Sequence, residues 1–167
     1  MTTNHPVWFV PVTGTEAKIG LTPCPGTQEA PLHESLSTLK DWGARAILTL
    51  MPEQEMADNQ VSNLGKETEQ LGMHWFHLPI ADDEGPAAAF QAAWASAGPV
   101  VHQLLNEGNS IAIHCKGGSG RTGLVAAQIM LEQGMGLQES IRLIKAQRPG
   151  AFSAPAQQEY IQQVSER

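Results

Sequence analysis

The chain has 167 residues, of which 41% are hydrophobic and 16% charged, and its formal net charge is −7. This composition is that of a globular protein with a core of its own, and the length favours one domain over residues 1–167. The negative charge argues against non-specific binding to nucleic acid or to an anionic membrane, whereas a small anionic substrate responds to the local field of its pocket.

The first half of the chain predicts short strands that alternate with helices. Leu32, Leu36 and Leu39 recur at helical spacing before Gly43, which predicts a helix that ends at this glycine. In chain order, the predicted elements are strands at 7–10 and 18–21, the helix before Gly43, a buried strand at 46–50, a helix from Val61 that stops at Gly72, and a strand at 73–78. This alternation is typical of an α/β protein with a central sheet.

The second half continues the alternation around two segments of unusual composition. One is a loop at 80–86 with three consecutive acidic residues, Asp82, Asp83 and Glu84, and the other is the glycine-rich sequence HCKGGSGRTG at 114–123. The other predicted elements are a helix at 87–107 bent at Gly98–Pro99, a central parallel strand at 111–113, a buried helix at 124–131, a helix through Leu137 and Ile144, and a last helix at 156–164.

The glycine-rich segment lies between a predicted buried strand and a predicted buried helix. A strand–loop–helix turn of this kind aims backbone N–H groups at one point, beside the positive end of the helix dipole. Gly117, Gly118 and Gly120 permit unusual φ angles and close approach of the backbone to a ligand. The segment therefore predicts a binding site for a tetrahedral oxyanion such as phosphate.

Cys115 lies at the bottom of this predicted site. A cysteine at a helix N-terminus and near an arginine ionises readily, so we expect a thiolate that acts as a nucleophile without a separate base. Arg121 follows at the start of the helix, where its planar guanidinium can hold two phosphate oxygens. Thr122 can donate its hydroxyl to the thiolate, and His114 is expected to orient the loop by hydrogen bonding.

Simpler interpretations of these two segments exist. A buried cysteine is usually inert, and a glycine-rich stretch can be a surface turn. The spacing does not fit a Walker A nucleotide loop, because Cys115 and Arg121 stand where that motif needs a glycine and a lysine. The acidic loop offers a carboxylic acid that could protonate a leaving oxygen, although acidic loops are commonly just solvated.

Taken together, these residues resemble the cysteine-based protein phosphatase superfamily, in its compact dual-specificity branch, and most of all the kinase-associated phosphatases. The likeness covers nearly the whole chain. It includes the segments 19–21, 25–26, 78–82 and 114–123, and Gly150, Ala151, Gln157 and Tyr160.

The resemblance implies a fold and a set of roles. The expected fold is one α/β domain with a central, mostly parallel sheet flanked by helices and the cysteine loop at the carboxyl edge of the sheet. It implies that Asp82 is the general acid, with Asp83 as second choice, and that Gln157 helps to position the hydrolytic water. The expected phosphate-binding residues are Lys116, Gly117, Gly118, Ser119, Gly120 and Arg121.

The function implied is hydrolysis of phosphotyrosine, phosphoserine or phosphothreonine on proteins through a phosphocysteine, without metal or cofactor. No tyrosine-recognition loop of the longer tyrosine-specific members is present, so a shallow cleft is expected. The sequence leaves open a phosphoinositide or small-molecule phosphatase, on which Lys116 decides little. It also leaves open a phosphate-binding module without turnover. A cysteine protease or sulfur transferase fits poorly, because nothing ties a base histidine to Cys115.

The cysteine content bears on location and redox chemistry. Cys24 and Cys115 are the two cysteines, which is too few for a disulfide framework. The first twelve residues lack the features of a signal peptide, and no apolar run reaches the roughly 18 residues of a membrane span. We therefore expect a cytoplasmic protein in which Cys24 packs locally and forms no disulfide with Cys115.

Overall fold

A computed structural model of the protein describes residues 5–167. Its strands are β1 (Trp8–Pro11), β2 (Lys18–Thr22), β3 (Ala44–Thr49), β4 (His74–His77) and β5 (Ser110–His114). They form one five-stranded sheet in the order β1-β2-β5-β3-β4. Only the pair β1–β2 is antiparallel, so the expected mixed α/β fold with a mostly parallel sheet is confirmed.

The helices of the described residues are α1 (Leu32–Trp42), α2 (Glu53–Asp58), α3 (Leu64–Gln70), α4 (Ala88–Asn106), α5 (Gly120–Glu132), α6 (Leu137–Gln147) and α7 (Pro155–Ser165). The sequence analysis predicted six of them and missed the short α2. Helix α3 begins at Leu64 rather than at Val61. Helix α4 continues through Pro99 as one element.

Alternate side chains of the central strands bury against two separate helical layers. On β5, Ile111 and Ile113 join the larger core cluster, which also contains Phe90 of α4 and Leu124 of α5. Ala112 points the other way, into the smaller cluster that contains residues of α1 and α3. Successive side chains of a strand face opposite sides of the sheet, so the apolar run of β5 is buried on both faces.

Helix α5, which follows the cysteine loop, is deeply buried. All ten residues from Arg121 to Met130 are buried, which confirms the prediction of a buried helix after the cysteine loop. Within residues 5–167, no helix is both long and apolar enough to cross a membrane.

The register of the parallel strands brings three chain segments to one edge of the sheet. Thr22 of β2 and Thr49 of β3 are both paired with His114 of β5. The residues that follow these three positions therefore emerge side by side at the carboxyl edge. Cys115 is one of them, as the resemblance implied.

Candidate active site

The sulfur of Cys115 lies between β5 and the start of α5, where two donors point at it. The backbone N–H of Gly118 is 3.3 Å from Sγ and the hydroxyl of Thr122 is 3.1 Å from it. Only 3% of the Cys115 surface is exposed. These donors and the positive end of α5 stabilise negative charge on the sulfur.

Gly118 is the one glycine of the loop whose backbone requires glycine. Its φ is +78°, and a Cβ atom would lie 2.5 Å from the carbonyl carbon of Thr22. By contrast, Gly117 and Gly120 have no positive φ, and a Cβ on Gly117 would meet open space. The unusual φ angle that the sequence analysis allowed for three glycines is therefore confined to one, which packs against the end of β2.

Arg121 is 2% exposed and is held by a carboxylate from a distant part of the chain. Its Nη1 and Nη2 atoms donate to Oε1 and Oε2 of Glu55 at 2.8 and 2.7 Å, and Nη1 also donates to the carbonyl of Ile80 at 2.9 Å. Burial by itself lowers the pKa of Arg121, but the hydrogen bonds that it donates to Glu55 and nearby negative charges raise the pKa above its ordinary value. The guanidinium is therefore permanently charged and fixed in orientation.

Glu55 lies on α2, the helix that the sequence analysis missed. A signal for this helix was available, because Pro52 is followed by Glu53 and Glu55 in the first turn, which is typical of a helix start. Its function could not be inferred from that signal, since 66 positions separate Glu55 from Arg121. The side chain is 23% exposed and thus lies at the rim of the buried region.

His114 holds the loop through a chain of hydrogen bonds. The indole N–H of Trp75 donates to the Thr49 hydroxyl, which lies 2.7 Å from His114 Nε2. A backbone carbonyl can only accept, so the Nδ1–H of His114 donates to the Cys115 carbonyl at 3.1 Å, and in the neutral ring Nε2 accepts from the Thr49 hydroxyl. Burial lowers the pKa of His114 to about 4, so the ring is neutral and carries the proton on Nδ1.

Around this centre lies a cleft of about 340 Å³. Its lining residues are Asp82, Asp83, Cys115, Lys116, Gly117, Ser119, Gly120, Arg121, Gly150, Ser153 and Gln157. The cleft thus brings together the predicted acid, nucleophile and phosphate-binding residues with one exception. Gly118 does not line the cleft, but its N–H group donates to the Cys115 sulfur. Ser153 is a lining residue that the sequence analysis missed, and no local motif marks it.

The two candidate acids differ in their surroundings. The Asp82 side chain is 70% exposed, and its Oδ1 atom lies 3.4 Å from Nη2 of Arg121. The Asp83 N–H donates to the same Oδ1 at 3.1 Å, and Asp83 has a φ of +61°. Asp82 is therefore the carboxylate tied to the arginine, and Asp83 its neighbour on the loop.

Gln157 lies in the first turn of α7 and lines the cleft. It is 2% exposed, and its Oε1 atom is buried without a hydrogen-bond partner among the described residues. A Cβ on Gly120 would lie 3.5 Å from this oxygen. Since buried amide oxygens normally have a partner, Oε1 is an acceptor that is available to a molecule bound in the cleft.

Cys24 lies beside the cysteine loop but does not line the cleft. Its N–H donates to the carbonyl of Lys116 at 3.1 Å. Both cysteines are free and buried. Burial raises the pKa of the Cys24 thiol to about 12, so it stays protonated at neutral pH. No group of three or more His, Cys, Asp or Glu side chains within 5–167 is placed to hold a metal ion.

A mostly parallel sheet with a cysteine, an arginine and a helix N-terminus at its carboxyl edge defines the class of cysteine-dependent phosphatases. A model of the family described as "Polymorphic toxin system, DSP-PTPase phosphatase" matches residues 24–135, and the chain belongs to this family. The match contains the cysteine loop, Asp82 and Glu55.

Curated relatives agree with this assignment. The tyrosine-protein phosphatase CDC14 of Candida albicans is 32% identical over 82 residues, which are 48% of this chain and 15% of that protein. The chain thus spans a small part of this relative's length. The protein tyrosine phosphatase type IVA 3 of Mus musculus is 26% identical over 129 residues, 74% of this chain and 69% of the mouse protein.

Solved structures share the fold. The kinase-associated phosphatase with its catalytic cysteine substituted by serine superposes with a TM-score of 0.86, at 23% identity, over 99% of this chain and 97% of that chain. The active form of Tk-PTP gives a TM-score of 0.71 at 25% identity, over 89% of this chain and 92% of that one. The sequence-based resemblance to dual-specificity phosphatases is confirmed by the family match.

Proposed function

We propose that this protein hydrolyses phosphomonoesters of proteins through a phosphocysteine on Cys115. The observation that carries the proposal is the convergence of two donors on the Cys115 sulfur beside a buried, fixed arginine. A sulfur held in this way is a nucleophile, and the guanidinium next to it is a binding group for the phosphate that it attacks. Neither a metal nor a cofactor is needed.

In the proposed first step, a lone pair of the Cys115 thiolate attacks phosphorus opposite the leaving oxygen. The P–S bond forms as the P–O bond to the leaving group breaks, and Asp82 gives its proton to the departing oxygen. Arg121 and the N–H groups of the loop from Lys116 to Gly120 stabilise charge on the equatorial oxygens. Glu55 keeps the arginine in the orientation that this requires.

In the proposed second step, water attacks the phosphocysteine. The Asp82 carboxylate takes a proton from that water as the new P–O bond forms, and the P–S bond breaks to release the thiolate. Thr122 and Gly118 stabilise the returning negative charge on sulfur, as they do in the free enzyme. The unpartnered Oε1 of Gln157 is suited to hold the water by accepting a hydrogen bond from its second O–H group, which keeps its proton.

The substrate that we propose is a phosphoprotein carrying phosphotyrosine, phosphoserine or phosphothreonine. The relatives from Candida albicans and Mus musculus are named as tyrosine phosphatases, which supports this choice. Carboxylates of Asp82 and Asp83 line the cleft, and they would repel the additional phosphates of a phosphoinositide headgroup. A phosphoinositide is therefore the less favoured substrate.

We also propose that the protein works in the cytoplasm and that residues 1–167 make up one phosphatase domain. The mechanism requires a reduced nucleophile, and cytoplasmic thiol systems keep cysteines reduced. With its net charge of −7, the protein is proposed to act without nucleic acid or an anionic membrane as partner.

The test compares the wild type with Cys115→Ser on a panel of phosphotyrosine, phosphothreonine and phosphoinositide substrates. The wild type should hydrolyse phosphopeptides, and the variant should retain less than about 1% of that activity, because losing a nucleophile can cost about 10⁶ in rate. The variant should still fold and bind inorganic phosphate. Turnover of phosphoinositides alone would change the substrate class, and phosphate binding without any turnover in the wild type would overturn the enzymatic function.

A further inference from the structure

Arg148 follows the last turn of α6 and donates hydrogen bonds to the outer side of the cysteine loop. Its Nε atom donates to the Gly118 carbonyl at 3.1 Å, and its Nη2 atom donates to the Gly117 carbonyl at 2.8 Å. The guanidinium also lies over the ring of Trp8 on β1, 4.0 Å from the ring centroid. One side chain thus joins α6, β1 and the loop.

The two carbonyls that Arg148 holds determine where the next two N–H groups point. In a planar trans peptide, the C=O and the following N–H point in opposite directions. Holding the Gly117 carbonyl on the outer side therefore turns the Gly118 N–H inward, and this N–H donates to the Cys115 sulfur at 3.3 Å. By the same geometry, holding the Gly118 carbonyl turns the Ser119 N–H to the inner side.

The loop needs such an external hold. Gly117 and Gly118 are consecutive glycines, and glycine has more accessible backbone conformations than any other residue. Neither has a side chain whose packing could fix the two peptide planes. A planar guanidinium with its donors in a fixed fork suits two neighbouring carbonyls, whereas an ammonium is a point donor.

We propose that Arg148, supported by Trp8, is a positioning residue that orients the loop N–H groups toward the thiolate and the substrate phosphate. The role in turnover rests on the proposed function. The effect on the Cys115 sulfur is independent of turnover and can be measured without substrate. Arg148 acts through the loop and contacts neither the sulfur nor the phosphate.

The experiment uses Arg148→Ala, Arg148→Lys, Trp8→Leu and the double variant Arg148→Ala/Trp8→Leu. The matched control is Arg142→Ala, because Arg142 is an exposed residue of α6 that forms an ion pair with Glu139. Three quantities are measured for each: the pH dependence of Cys115 alkylation by iodoacetamide, the affinity for vanadate, and kcat/KM with an aryl phosphate.

Arg148→Ala should move the alkylation profile to higher pH, weaken vanadate binding and lower kcat/KM by about ten-fold or more, since loss of one oriented donor commonly costs at least that much. Arg148→Lys should fall between Ala and the wild type. Trp8→Leu should lower kcat/KM by a factor of about 2–5, which corresponds to the strength of an exposed cation–π contact. The double variant should match Arg148→Ala, because Trp8 acts only through Arg148.

An alkylation profile and a vanadate affinity for Arg148→Ala equal to those of Arg142→Ala would overturn the inference. Additive losses in the double variant would overturn the role given to Trp8. If Arg148→Ala fails to fold by circular dichroism, Arg148→Lys and Trp8→Leu decide the question with the same readouts. If the wild type shows no turnover, the proposed function fails, while the alkylation and vanadate measurements still test Arg148.

Discussion

The guanidinium of Arg121 and the carboxylate of Glu55 meet face to face through two parallel hydrogen bonds of 2.8 and 2.7 Å. This pair links the first turn of α5 to α2 across 66 positions of the chain. The carboxylate balances the positive charge of the guanidinium in the free enzyme and fixes its orientation for a phosphate, so that binding requires little further ordering.

Replacement of Glu55 by Gln should therefore impair phosphate binding. The amide keeps one acceptor but loses the charge, and a hydrogen bond to a charged group contributes about 1.5–3 kcal/mol. We expect at least about ten-fold weaker inhibition by inorganic phosphate. Glu53→Gln is the control, because Glu53 is an exposed residue of the same helix. Equal inhibition constants for the two variants would mean that Glu55 does not position Arg121.

Replacement of Asp82 by Ala should slow aryl phosphates according to their leaving group. A phenoxide of high pKa needs a proton as it departs, so for such substrates we expect a loss within the 10²–10⁴-fold range of general-acid catalysis. For an acidic phenol the loss should be small. The measurement is kcat/KM across a series of substituted phenyl phosphates.

Asp83→Ala is the matched control for this series. Asp82 lies 3.4 Å from Arg121, whereas Asp83 is its neighbour on the loop, so the control should show a smaller loss and a weaker leaving-group dependence. A larger effect in Asp83→Ala would assign the acid to that residue. No effect in either variant would mean that another group delivers the proton.

The buried His114 should make stability fall in weakly acidic solution. Its pKa is lowered to about 4 by burial, whereas an unfolded histidine titrates near 6.5. Between these values the unfolded chain binds the extra proton, so stability is fully present above pH 6.5 and is lost as the pH falls toward 4, by up to about 3 kcal/mol. Urea unfolding at a series of pH values measures this loss.

His114→Asn should flatten the fall in stability between pH 6.5 and 4 relative to the wild type. His33→Asn is the control, because the His33 side chain is 66% exposed. Burial also lowers the pKa of His5, so part of the fall should remain in the His114 variant. An unchanged pH dependence in His114→Asn would show that the histidine is not the source.

Peroxide should oxidise Cys115 without joining it to Cys24. The Cys24 backbone touches the loop, but burial raises the pKa of its thiol to about 12, so at pH 7 only about one molecule in 10⁵ carries the reactive thiolate. Cys24→Ser should be inactivated by peroxide, and rescued by a reductant, at the wild-type rates. Peptide mapping provides the direct check, and a linked Cys24–Cys115 peptide would contradict the prediction.

The sequence predicted those features that depend on neighbouring residues. The spacing of Leu32, Leu36 and Leu39 located α1, and the β-branched run at 111–113 located the central strand, because both patterns repeat within one element. The cysteine loop was predicted for the same reason, since nucleophile, glycines and arginine are consecutive. Its fold-level consequence, a site at the carboxyl edge of the sheet, followed from the resemblance.

Single contacts between distant segments could not be predicted in this way. The pairing of Glu55 with Arg121 and the hydrogen bonds of Arg148 to the loop each depend on how whole elements pack. No repeating pattern in the sequence predicts them. Trp75 and Thr49 likewise form a hydrogen-bond chain to His114 only because β3, β4 and β5 are in register. The positions of supporting residues thus come from the tertiary structure, whereas the reactive residues come from the motif.

Helix α5 belongs to the hydrophobic core and to the reactive cleft at once. Its ten consecutive buried residues include Arg121 and Thr122 of the site as well as the apolar residues that pack on the sheet. The cysteine loop therefore cannot melt ahead of the rest of the protein while its helix stays in place. Heat inactivation and the loss of the cooperative fold should share one midpoint, and a stabilising substitution in the core should extend the working temperature of the enzyme by the same amount.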